Sequence, residues 1–106
     1  MKNNIYIVKI KSILSSQESA MFPTVFSERT QNQLKSIQEL LVKGYQVIFI
    51  IVSLNPYLKE ITINKDTEFF SELCNCIEKG TGLRAFTSCL WDNDIFIKKE
   101  IPAIVL

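Results

Sequence analysis

A chain of 106 residues with 47% hydrophobic and 22% charged residues is one domain around a single modest core; this composition excludes a disordered chain and a membrane protein. A formal net charge of +1 gives no global pull toward nucleic acid, so DNA binding would need a local basic patch. With no histidine in the chain, Ser-His-Asp and Cys-His catalytic pairs are excluded and a zinc site lacks its usual partner.

Lys2, Asn3 and Asn4 lead directly into a strand-like run, with no apolar signal region, which predicts a cytoplasmic protein. Residues 5–14 predict a strand with Tyr6, Val8 and Ile10 on one face and Ile5, Ile7, Lys9 and Lys11 on the other. Two lysines side by side on a strand either protect a sheet edge or meet an anion. Residues 15–19 are polar and predict a turn, followed by a short apolar segment ending at Pro23.

A helix is predicted over residues 27–42. Ser27 caps it, Glu28 suits the positive end of the dipole, and Leu34, Ile37, Leu40 and Leu41 form the buried stripe. Gly44 stops it and feeds residues 45–54, the centre of the chain. There Val47, Ile48, Phe49, Ile50, Ile51 and Val52 form an unbroken apolar run, almost all β-branched and too short to span a membrane. The lack of alternation predicts a central strand covered on both faces.

Pro56 ends this strand, and residues 57–64 are irregular or briefly extended. Asp66 is the expected cap of a second helix over residues 67–79, with Phe69, Phe70, Leu73, Cys74 and Ile77 facing inward and Gly80 and Gly82 as its stops. Residues 83–90 alternate as a strand does, and strand–helix–strand spacing predicts that they run parallel to the central strand. Residues 91–94 predict a turn, residues 95–98 the second arm of a hairpin, and residues 101–106 an edge segment. Cys74, Cys76 and Cys89 are odd in number and predict buried, inert thiols rather than a disulfide framework. Residue types alone therefore give a small α/β domain whose one polar cluster is Glu28 and Arg29 near Lys9 and Lys11.

The order of residues adds to this. Phe22-Pro23, Ser27-Glu28-Arg29, Gln31, Leu34, Glu39-Leu40, Gly44-Tyr45, the apolar strand, then Gly82, Cys89 and Ile101-Pro102 follow one another as in the C-terminal half of the sugar fermentation stimulation protein (SfsA) family. The chain resembles that family, described as DNA-binding proteins or DNA/RNA nucleases, from about Tyr6 to Val105. The resemblance implies an α/β fold with a mixed sheet flanked by helices, a restriction-endonuclease-like core of the PD-(D/E)xK kind. It also implies that residues 1–106 form a single, truncated domain lacking the family's N-terminal OB-type domain and the first part of the nuclease core.

The resemblance implies site residues as well. The family strand carries Glu-x-Lys, in which the acid holds Mg²⁺ or Mn²⁺ and the lysine stabilises charge. Lys11-Ser12 matches the family's Lys-Ser, but Lys9 stands in the place of the metal-binding glutamate. Thr24 replaces an aspartate, and Thr30, Asn32 and Gln33 replace the family's Gly, Lys and His, whereas Glu28 and Arg29 are kept. The implied protein is a catalytically inactive relative with no metal ligands of its own. Lys11 is the retained catalytic lysine, and Lys9, Lys11 and Arg29 are the contacts for weak, non-specific DNA binding. Two alternatives stay open: a metal-dependent nuclease half completed by a separately encoded upstream chain, or a degraded product with no role.

Overall fold

The computed structural model describes residues 6–15, 17–24 and 27–105. Strands β1 (Tyr6–Ile13), β3 (Gln46–Ser53), β5 (Gly82–Trp91) and β6 (Asp94–Ile101) form one sheet in that order. Strand β3 is parallel to both neighbours, with Tyr6 opposite Gln46 and Phe49 opposite Leu83, while β6 returns antiparallel to β5. Strands β2 (Ser19–Phe22), β4 (Glu60–Ile63) and β7 (Ala103–Ile104) form a second, parallel sheet. Helices α1 (Glu28–Val42) and α2 (Glu68–Glu78) make the β1–α1–β3 and β3–α2–β5 crossovers.

Local chemistry explains the boundaries. Ser27 is extended, and its hydroxyl accepts from the Thr30 amide at 3.3 Å, starting α1 as expected. The cap of α2 is Thr67, not Asp66: the Thr67 hydroxyl accepts from the Phe70 amide and donates to the Asn64 carbonyl at 2.6 Å. Asp66 instead places its amide on the Asn64 side-chain oxygen, one residue too early to cap. Gly44 and Gly80 end the helices at φ +90° and +108°, a region costly for residues with a Cβ. Gly82 is no helix stop, because it begins β5. Asp92 and Asn93, at φ 52° and 67°, supply the left-handed pair that a tight hairpin requires between β5 and β6.

The core lies between the four-stranded sheet and the helices. Phe49, Ile51, Leu34, Ile37, Leu58, Ile61 and Leu73 are fully buried. The rings of Phe49 and Phe69 stand 6.2 Å apart, and Phe22 meets Phe69 edge-on at 5.2 Å. On α2 the buried stripe is Phe69, Leu73 and Cys76, spaced four and three residues apart; Cys74 lies beside it, half-buried like Cys89. Burial pushes the Cys76 thiol pKa up, which keeps it protonated and inert.

The expectation that both faces of β3 are covered is corrected. Val47, Phe49, Ile51 and Ser53 are buried, but Ile48, Ile50 and Val52 on the opposite face are only partly so. Their neighbours on β1, Tyr6, Val8 and Ile10, are exposed. The reason is topological. The order β1-β3-β5 advances in one direction, and crossovers of one hand that advance in one direction place their helices on the same face. No helix among the described residues is long and apolar enough to cross a membrane.

Candidate nucleic-acid interface

The expected site residues divide into two groups. Lys9 and Lys11 share the helix-facing side of β1 and are both partly buried, as the strand alternation predicts. Helix α1 brings its first turn alongside, and the Gln33 side-chain amide donates to the Ile10 carbonyl at 3.3 Å. A cavity of about 400 Å³ results, lined by Ile10, Lys11, Ser12, Arg29, Thr30 and Gln33. Lys11 and Arg29, far apart in sequence, thus line one cavity with hydroxyl and amide groups and no carboxylate. Such an arrangement suits an anion: two cationic side chains with neutral donors beside them and no acid in the lining.

Lys9 and Glu28 do not join this group. Lys9 stands opposite Phe49 in the register and lines neither the Lys11–Arg29 cavity nor the groove next to it. Glu28 lines a separate cavity of about 310 Å³ together with Gln31, Asn32, Lys35, Glu68 and Glu72. One residue along a helix turns the side chain by about 100°, so neighbours such as Glu28 and Arg29 address different surroundings. Gln31, nearly buried, bridges toward α2 by donating to the Glu68 carboxylate at 3.4 Å.

Sequence reasoning treated Thr30 and Gln33 only as losses, yet both line the basic cavity. The signal was available for Gln33, which lies four residues after Arg29 and therefore on the same helix face. Asn32, from the same stretch, faces the Glu28 cavity instead.

A divalent metal would need convergent oxygen ligands. The lining of the Lys11–Arg29 cavity offers cations where carboxylates are required, and no three His, Cys, Asp or Glu side chains converge among the described residues. The residues that line this cavity do not fit a catalytic metal.

Three comparisons with known proteins agree. The family model for the sugar fermentation stimulation protein RE domain matches residues 1–93. A sugar fermentation stimulation protein homolog of Saccharolobus solfataricus is 29% identical over 102 residues, covering 94% of this chain and 42% of that protein. The structure of Pyrococcus furiosus SfsA in complex with Ca²⁺ superposes with a TM-score of 0.76 at 22% identity, covering 92% of this chain and 44% of that one. The chain therefore spans less than half the length of these relatives, and shares its fold with the solved one.

Proposed function

Because the chain belongs to the sugar fermentation stimulation protein family, in its RE domain, we propose that it is a non-catalytic member that binds the phosphate backbone of nucleic acid weakly and without sequence preference. The observation that carries this reading is the pairing of Lys11 and Arg29 in one carboxylate-free cavity, with Ser12, Thr30 and Gln33 as neutral donors. Lys11 is the family's site lysine by resemblance, and Arg29 supplies the second charge. Together they can neutralise about two phosphates, which sets a shallow salt dependence and a modest affinity.

The test is retention on duplex DNA across a salt series, for the unaltered chain and for Lys11→Ala and Arg29→Ala. Each substitution should weaken binding on all sequences alike and flatten the slope of log affinity against log salt by about one. Lys9→Ala, outside the cavity, should have the smaller effect. No retention even at low salt rejects the proposal.

A second reading, one half of a metal-dependent nuclease completed by another chain, is favoured by the fact that the relatives are more than twice as long as the matched region. It predicts cleavage only when the completing chain and Mg²⁺ or Mn²⁺ are both present. A mixture that leaves DNA intact rejects it.

A further inference from the structure

The basic cavity is not isolated. Lys11, Ser12 and Thr30 form a wall that it shares with a second groove of about 570 Å³, between the end of β1 and β2. This groove differs in character. Ile13, Leu14, Met21 and Phe22 contribute apolar surface, and again no carboxylate lines it. Its volume lies within the roughly 300–1,000 Å³ typical of small-ligand sites. Phe22 is held in place by its edge-on contact with Phe69, whereas Leu14 and Met21 are 78% and 55% exposed and belong to no core.

We propose that this groove receives an unpaired nucleobase while Lys11 and Arg29 hold the neighbouring phosphate, so that the ligand is single-stranded nucleic acid or a frayed end rather than an intact duplex. The proposal rests on the phosphate reading of the Lys11–Arg29 cavity. A site for backbone alone needs charge and donors but gains nothing from an adjoining apolar groove. In a duplex each base is stacked on both faces and paired at its edge, so only a base that has left the stack can fill such a groove. Lys11 stands at the junction, as a group contacting the phosphate between two sugars must. The apolar surface is aliphatic, thioether and one ring, and Ser12, Ser15, Gln17, Ser19, Ser27 and Thr30 line the same groove with hydroxyl and amide groups that can meet a base edge. Hydroxyl groups both donate and accept, so this lining can pair with the edge of any base.

The experiment measures binding of the whole chain, by fluorescence anisotropy, to a labelled DNA strand of about 12 nucleotides and to its blunt duplex over a salt series. The single strand should bind at least roughly fivefold more tightly than the duplex at each salt concentration, as expected for one stacked base. The double variant Leu14→Ser/Met21→Ser should remove that preference and leave duplex affinity and its salt slope unchanged. Lys11→Ala should weaken both ligands together. A thermal melt reports whether each variant is folded, and Met21→Ala alone serves where the double variant is not. Equal binding of the two forms, or a preference that survives the groove substitutions, overturns the base site while leaving the phosphate site standing. Loss of all binding at low salt in the unaltered chain overturns the phosphate site and the base site with it.

Discussion

Ile50 and Ile51 are the same residue, adjacent on the same strand, and they live in different environments. Ile51 is fully buried beneath the two helices, in the company of Phe49 and Leu34, while Ile50 faces away from them and is only partly covered. The comparison extends to the whole sheet. One face carries Val47, Phe49, Ile51 and Ala85 into the core; the other presents Tyr6, Val8, Ile10, Ile48, Ile50 and Phe86 with no element across from them among the described residues. Composition does not separate the two faces, because both are apolar. The direction in which the crossovers advance separates them.

The largest expected effect is on the covered side. Ile51→Ala should cost about 2–5 kcal/mol of stability, since it removes buried methylenes and leaves a cavity beside Phe49. Ile50→Ala should cost about 1 kcal/mol or less, because much of its surface is already in water. Urea titrations of the two variants measure this directly, and equal losses would mean that the second face is covered in solution. Next in size is Ser27→Ala, which deprives the Thr30 amide of its acceptor at the start of α1; the expected loss is about 1 kcal/mol, less than for Ile51 and similar to that for Ile50.

Ile10→Lys tests the bare face from the other side. Ile10 is 60% exposed, so a charge there should leave the melting temperature nearly unchanged. A thermal melt of the variant beside the unaltered chain provides the readout, and a large fall in stability would show that Ile10 is packed after all.

The smallest effect belongs to the ion pair that sits on this bare face. The Arg84 guanidinium donates to both Glu100 carboxylate oxygens, at 2.7 and 2.9 Å, and those hydrogen bonds hold the Glu100 pKa below the usual carboxylate range. A depressed folded pKa contributes stability above the unfolded value and loses it as pH falls through the folded one. Glu100→Gln should therefore lower stability slightly near neutrality, and the difference from the unaltered chain should fade as pH falls through the folded Glu100 pKa. Both groups are open to solvent, so the change should be slight and should vanish in high salt.

The fold was largely legible because its signals are local. The Ser27 cap, the stop at Gly44, the parallel pairing of β3 with β5 and the hairpin at Asp92-Asn93 each follow from a few adjacent residues. The family's ordered landmarks, from Phe22-Pro23 to Ile101-Pro102, gave the fold class itself. Two things were not legible for the same reason. The covering of β3 and the separation of Glu28 from Arg29 depend on which way an element faces once it is docked, and an apolar run or a neighbouring pair carries no such information. Thr67 in place of Asp66 is a smaller case: both residue types cap, and the choice is made by the turn at Asn64.

The pairing pattern also sets an order of events in time. β5 and β6 are joined by a two-residue turn and can pair as soon as both exist, whereas β1 must wait for β3, with Tyr6 opposite Gln46 and all of α1 between them. Closing such long loops is entropically costly before any contact is rewarded, and parallel sheets of this kind reach the native state slowly for their size. During that interval the apolar strand β3 has neither neighbour in place. The period before β1 docks is when this chain depends most on its surroundings to stay single.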